Sequence, residues 1–474
     1  LAVYKHLEKG GFHGFTVGID DDVTNTSLKI EEHITTEPAG TTACMFYGLG
    51  GDGTVGANKT TIKVIGHLTN KDAQAYFAYD SKKSFGLTCS HLRFSDSPIQ
   101  STYLITSPDL VSCSCQAYIG RYDLLKGLKK GGTFLLNSNY SNDEVFSKLT
   151  RDMQEYIIEN DIKFYNVNAD EIVRTKPGLR GKGANTVMMV AYFKVSGIVP
   201  FEDASKEMKM LNAKTFAKKG QAVIDMNNEL VDAAADACVQ VNVPKCLDGV
   251  AHVEPLKLIP DDADDFAKKI IEPSMRNNGD SIPVSAMSID GTLPTGTAKL
   301  EKRGFAPQVP AWNPAACIQC GICASSCPHA AIRTKLFKEE DLKDAPATFV
   351  VKDPIPKAAG LKFKVQVYIE DCMGCGVCLD QCPSKANPEK GKAAALTWST
   401  LAKERAAGEN ANEKFFESTE DNILGANKAT SLKGAMLRQP LFEFSGACAG
   451  CGETPYVKLV SQLFGENMVV ANAT

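Results

Sequence analysis

At 474 residues the chain exceeds what one hydrophobic core can organise, and its length points to three or four domains. A composition of 43% hydrophobic and 23% charged residues is that of an ordinary globular protein. A net charge of −4 offers nothing to a nucleic acid or an anionic membrane surface, and no apolar run is long enough to span a bilayer; the best candidate, Thr186 to Phe201, is interrupted by Lys194.

In chain order, residues 1–38 contain a short strand in Gly14 to Asp20 running into an acidic turn, and read as the tail of a preceding α/β domain. Residues 39–250 alternate strand and helix. Thr42 to Gly48 reads as a strand, Thr54 to His67 as a helix, Gln74 to Tyr79 as a strand, and Tyr118 to Lys130 as a helix feeding the strand Thr133 to Asn137. Such alternation predicts crossover units on a mainly parallel, Rossmann-like sheet. Residues 251–311, rich in proline, glycine and acid, read as a small irregular linker domain.

Residues 312–420 carry an internal repeat. Cys317-x-x-Cys320-x-x-Cys323-x-x-x-Cys327-Pro328 recurs as Cys372-x-x-Cys375-x-x-Cys378-x-x-x-Cys382-Pro383. Three thiols in seven residues, with a fourth before proline, is the spacing of a 4Fe–4S site in a two-cluster ferredoxin, where the fourth cysteine ligates the other cluster. The expected sets are Cys317, Cys320, Cys323 and Cys382 for one cluster, and Cys372, Cys375, Cys378 and Cys327 for the other. Structural zinc takes two Cys-x-x-Cys knuckles across a longer loop, which is a different pattern. The chain has 16 cysteines; Cys44, Cys89, Cys113, Cys115, Cys238 and Cys246 have no ligand spacing beyond the pair Cys113/Cys115 and read as buried or incidental thiols. Metal spacing in a large chain argues for a reducing compartment over a disulfide framework.

Two further motifs leave alternatives open. Cys448-Ala-Gly-Cys451 is compatible with half a zinc site, a redox pair or half of another iron–sulfur site. Gly48-Leu-Gly50-Gly-Asp-Gly53 fits a phosphate turn between strand and helix, with Asp80 in the place of a ribose-binding acid and Lys59, Lys82 and Lys83 as sources of positive charge; a purely structural turn is the bland alternative. The last residues, 421–474, end on the apolar run Met468 to Ala471, which reads as a strand interrupted within a domain.

Taken together, the stretches Phe15 to Thr24, Gly48 to Lys59, Tyr76 to Lys83 and Glu443-Phe-Ser-Gly-Ala-Cys448-Ala-Gly-Cys451-Gly-Glu-Thr-Pro-Tyr456, in this order around the double repeat, closely resemble pyruvate:ferredoxin (flavodoxin) oxidoreductases. The resemblance implies a multidomain α/β and α+β protein, of which this is a central fragment. Residues 39–250 would bind coenzyme A through Gly51, Asp52, Gly53, Thr54 and Val55, with Lys82 or Lys83 and, downstream, Asn185 and Asn227. The arginine expected before Asn185 is missing. Cys448 and Cys451 would ligate a third 4Fe–4S cluster, with Glu453 beside thiamine diphosphate and its Mg2+ in a domain beginning at 421. The implied activity is oxidation of pyruvate to acetyl-CoA and CO2, with ferredoxin or flavodoxin as acceptor, in a homodimer in the cytoplasm or a hydrogenosome, without nucleic acid or membrane. An electron-transfer subunit without catalysis, and an oxidoreductase for another 2-oxoacid, are the competing readings.

Overall fold

The computed structural model describes residues 1–32, 34–82, 84–175 and 183–471, so His33, Lys83, the stretch 176–182 and residues 472–474 lie outside the described residues. It divides into two units, one comprising 1–80 and 85–292, the other 81–84 and 293–474.

The first unit is built on a seven-stranded sheet. Its elements include β1 (Thr42–Leu49), α1 (Thr54–Leu68), β2 (Asp72–Tyr79), β3 (Leu87–Ser95), β4 (Leu110–Cys113), β5 (Thr133–Asn137), α2 (Arg151–Glu159), β6 (Lys163–Val167), α3 (Ala184–Ser196), α4 (Phe201–Phe216), α5 (Gln221–Ala237) and β7 (Val239–Gln240). The order is β2-β3-β1-β4-β5-β6-β7. The centre β1-β4-β5-β6 is parallel, flanked by antiparallel β2 and β3 on one side and antiparallel β7 on the other. Strand β1 shows why the sheet sits in the middle. With a side-chain period of two, Cys44 and Phe46 enter one core with Leu92, Phe94 and α3, while Ala43, Met45 and Tyr47 enter the other with Phe134 and Tyr118. Both faces are covered, so the strand is apolar throughout.

Helix α3 is buried continuously from Val187 to Phe193, the pattern of a helix packed on all sides. Lys194, which interrupts the apolar run in the sequence, donates to the carbonyls of Ala235 and, at 3.1 Å, Cys238. Among the described residues no helix is long and apolar enough to cross a membrane.

The helix expected over Tyr118 to Lys130 does not form. A 3-10 turn, Gln116–Tyr118, is followed by irregular chain. Gly120 and Gly127 take φ of 72° and 75°, which a right-handed helix does not allow, and a Cβ on Gly127 would lie 2.0 Å from the Thr106 carbonyl. The apolar spacing that suggested a helix instead anchors a loop through Leu124, Leu125 and Leu128, all buried. Residues 468–471 form no strand.

The second unit holds two antiparallel pairs, β8 (Gln308–Trp312) with β11 (Leu396–Thr400), and β9 (Ile332–Lys338) with β10 (Leu361–Val367). Between them lie the short helices α6 (Ile322–Ser326) and α7 (Val377–Gln381), followed by α8 (Glu409–Ser418), α9 (Leu432–Met436) and α10 (Thr454–Phe464). The sequence repeat is a structural repeat: a displacement of 55 positions carries Cys317 onto Cys372 and α6 onto α7.

Candidate iron–sulfur and phosphate sites

Each repeat begins as a cysteine loop and ends in a single helical turn. The residues opening the helices, Gly321 and Gly376, have φ of 77° and 79°, turning the loop inward before α6 and α7. The preceding left-handed position is Gly374 in one repeat, with φ 64°, but Gln319 in the other, with φ 59°. Gln319 is fully enclosed. Its side chain donates to the Asp353 carbonyl at 2.7 Å and accepts from the Ile355 amide at 2.8 Å, and these bonds offset the left-handed strain. Both amides turn toward sulfur: Gln319 N–H to Cys317 Sγ and Gly374 N–H to Cys372 Sγ, each at 3.4 Å.

Two cavities result. The first is bounded by Cys317, Cys320, Cys323 and Cys382, with Trp312, Phe363 and Leu396 among its apolar walls. The second is bounded by Cys327, Cys372, Cys375 and Cys378, with Pro310, Ile332 and Trp398. The fourth cysteine of each repeat thus faces the cavity of the other. Among the described residues no three His, Cys, Asp or Glu side chains close on a single point as ligands of one metal ion would. Four thiols line each of the two cavities, as the ligands of a polynuclear cluster would.

Three of the thiols are expensive to ionise without metal. Burial, then the neighbouring Cys317 and Cys320, pushes Cys323 up to about 12; burial pushes Cys372 up to about 12 and Cys378 higher still. Iron binding must therefore displace protons from these sulfurs. The donor set, the apolar walls and the amide-to-sulfur bonds all fit 4Fe–4S clusters.

Cys448 and Cys451 form an exposed turn in which the Cys451 amide donates to the Cys448 carbonyl at 3.0 Å. The amides of Thr454 and then Glu453, opening α10, lower the Cys451 thiol. His329, buried on the wall of the second cavity, reaches the Cys448 carbonyl with Nε2 at 3.2 Å. Burial lowers its basicity, and a carbonyl partner requires that Nε2 carry the proton. Lys458 of α10 is also buried and donates to the carbonyls of Ala324, Ser325 (3.1 Å) and Cys327 (2.9 Å). Burial lowers its pKa, while the Cys327 sulfur and, to a smaller extent, the Cys323 sulfur oppose that shift. Sequence reasoning missed Gln319, His329 and Lys458. The 55-residue repeat does flag Gln319, the partner of Gly374; no pattern flags the other two.

In the first unit the glycine turn joins β1 to α1. Gly51 and Gly53 have φ of 91° and 98°. Gly48 lacks space for a side chain, since a Cβ would meet Thr54 at 2.4 Å. Asp52 holds the turn, accepting from the Leu49 amide at 2.8 Å, the Thr54 amide at 2.7 Å and the Thr54 hydroxyl at 2.9 Å. Asn185, at the start of α3, closes on it: its amide donates to the Asp52 carbonyl, and its Oδ1 lies 3.0 Å from the Thr54 hydroxyl. Gly51 to Val55 and Asn185 are thereby brought together at the positive end of a four-turn helix. Asn227 donates to the Val223 carbonyl within α5 at 2.8 Å, a bond along its own helix. Lys82 groups with the second unit, where it pairs with Glu301 at 2.9 Å. Glu453 is exposed immediately before α10. The nicotinamide layout does not fit, because β3 separates β2, which Asp80 follows, from β1, whereas the ribose acid belongs on a strand adjoining the glycine turn.

Three family models match the chain: "Pyruvate ferredoxin/flavodoxin oxidoreductase" over 43–237, a "Domain of unknown function" over 254–306 and "4Fe-4S dicluster domain" over 316–386. The chain is 50% identical to the pyruvate:ferredoxin oxidoreductase of Moorella thermoacetica, over 97% of this chain and 38% of that protein. It is 48% identical to a pyruvate-flavodoxin oxidoreductase of Enterobacter agglomerans, over the same shares. A mitochondrial pyruvate dehydrogenase [NADP(+)] of Euglena gracilis is 39% identical, over 100% of this chain and 26% of that protein. The chain therefore spans 38% of the length of the first two relatives. Over almost all of its own length the chain is homologous to pyruvate:ferredoxin and pyruvate-flavodoxin oxidoreductases, with a 4Fe-4S dicluster domain over 316–386.

Proposed function

We propose that the chain serves the oxidation of pyruvate to acetyl-CoA and CO2, and that its part is to hold coenzyme A and conduct electrons singly to ferredoxin or flavodoxin. The observation that carries this reading is the sorting of eight cysteines into two crossed sets of four around two apolar cavities. When bound, thiamine diphosphate with Mg2+ would supply an electron sink for decarboxylation, and the iron–sulfur clusters would supply one-electron acceptors.

The chain's residues have definite tasks in this scheme. Cys317, Cys320, Cys323 and Cys382 hold one cluster, and Cys327, Cys372, Cys375 and Cys378 hold the second. The Gln319 and Gly374 amides stabilise thiolate at the first cysteine of each loop. Trp312, Phe363 and Trp398 keep water from the irons. Cys448 and Cys451 supply two ligands of a third cluster, with Glu453 turned to thiamine. Gly51 and Gly53 would admit a phosphate of coenzyme A to the N-terminus of α1, where Asp52 and Asn185 hold the turn in shape. The domains run 39–250 for coenzyme A, 251–311 as connection, 312–420 for the two clusters and from 421 for thiamine, in a cytoplasmic homodimer.

Anaerobic reconstitution of the chain with iron and sulfide tests the reading. We expect two four-iron clusters per chain by iron and sulfide analysis, paramagnetic after dithionite reduction, and calorimetric binding of coenzyme A. Stoichiometric zinc in anaerobically purified protein, or cysteine pairs joined as disulfides, would overturn it.

A further inference from the structure

The two halves of the ferredoxin-like domain are related by 55 positions, and the relation extends to a lysine at the end of each short helix. Lys385 donates to the carbonyls of Leu379 and, at 2.9 Å, Asp380 at the end of α7. Lys458 donates to the carbonyls of Ala324 and Ser325, their counterparts at the end of α6, and also to that of Cys327. The two lysines differ in origin and surroundings. Lys385 follows its own cysteine loop and stands in solvent; Lys458 arrives from the distant helix α10 and is 2% exposed.

Three carbonyl partners for one nitrogen match the three N–H bonds of an ammonium, where a neutral amine has only two. The C-terminal carbonyls of α6 also favour a positive charge. A fixed cation thus sits, shielded from water, beside the backbone of Cys327, while the cation in the equivalent place near Cys382 is screened by solvent. Arg333, also nearby, is neutralised by Glu443. On the other side, Lys352 donates to the Cys317 carbonyl at 2.9 Å and Lys433 to that of Ile355, both only partly buried.

We infer that Lys458 is a positioning residue for electron flow: its buried charge stabilises the reduced form of the cluster held by Cys327, Cys372, Cys375 and Cys378 more than that of the other, and so contributes to separating the two potentials. One electron enters that cluster, the ammonium keeps its proton, and no bond is made or broken. The inference rests on the iron–sulfur reading above.

The test is a dithionite titration of the reconstituted chain followed by electron paramagnetic resonance, with iron content measured in parallel. Cys378→Ser and Cys320→Ser, each perturbing one cluster, assign the signals. In Lys458→Gln, which keeps N–H donors but not the charge, the ratio of reduced to oxidised Cys327-linked cluster at fixed potential should fall about tenfold, a midpoint shift of about 59 mV downward. Lys458→Arg and the solvent-side Lys385→Gln should each change it by less than about threefold. A Lys458→Gln protein with full iron and an unchanged midpoint overturns the inference. Absence of clusters from the unaltered chain overturns the iron–sulfur reading instead. If Lys458→Gln does not load iron, salt decides: between about 0.05 and 0.5 M the Cys327-linked midpoint should move less than the other, and equal or greater movement overturns the inference.

Discussion

The Gln319 amide points at the Cys317 sulfur from 3.4 Å, and the Gly374 amide repeats that bond to Cys372 at the same distance. Both residues are left-handed, yet only one is glycine. The two loops therefore reach one geometry by different means, glycine through conformational freedom and glutamine through a buried side chain tied to 353 and 355.

That difference is measurable. Gln319→Gly relieves strain of about 1 kcal/mol but loses two buried hydrogen bonds, so a net destabilisation of about 1 kcal/mol is expected. Gln319→Ala loses the bonds and keeps the strain, and should be worse by about a further 1 kcal/mol. Anaerobic urea denaturation of the iron-loaded chain gives both values. Alanine equal to or better than glycine would contradict the account.

Arg333 is buried between the rings of Tyr368, 4.3 Å away, and Phe444, 5.1 Å away, and paired with Glu443. Glu443→Ala leaves a buried cation without its counter-charge and should destabilise the protein by about 3–5 kcal/mol. Arg333→Met combined with Glu443→Leu should cost much less, because no charge remains to desolvate. The pair of urea midpoints distinguishes a buried ion pair from simple packing.

Lys302 is shared by Asp371 at 2.5 Å and Glu413 at 2.6 Å. One cation cannot neutralise two buried carboxylates, and burial pushes Glu413 up to about 7 from 4.5, with its Oε2 lacking a hydrogen-bond partner. A carboxyl that holds its proton more tightly when folded contributes stability that is complete below its unfolded value and is lost as pH rises through its folded one. Stability should thus fall by about 1–3 kcal/mol between pH ~5 and pH ~8, and Glu413→Gln should flatten this decline. A decline of the same size in Glu413→Gln would assign it to another group.

Asn185 bridges α3 to the glycine turn through Thr54 and the Asp52 carbonyl. Asn185→Ala should weaken coenzyme A binding about tenfold by calorimetry, the loss of roughly one well-placed polar contact. Unchanged affinity would remove the turn from the proposed coenzyme A site.

Stripping the irons leaves eight thiols around two apolar cavities. Chelation under reducing conditions should expose residues 312–400 to limited proteolysis while leaving the sheet unit intact, and re-addition of iron and sulfide should restore protection. Equal cleavage with and without iron would mean that the cavities hold their shape unaided.

The two cysteine loops were legible because ligand spacing is local: each loop spans a few residues, and the repeat announces itself twice. The glycine turn was legible for the same reason, as positive φ narrows the residue type. The helix expected at 118–130 was misread because apolar spacing does not reveal that Gly120 and Gly127 turn left-handed. Lys458 and His329 were invisible, since each acts across more than a hundred positions and a lysine on an amphipathic helix ordinarily points to water. What the sequence by itself determined, then, is the chemistry of the ligands and the order of the segments, both properties of near neighbours along the chain. Which charges are buried beside which cysteines was decided only by the tertiary structure, because desolvation depends on what the rest of the fold packs over a side chain.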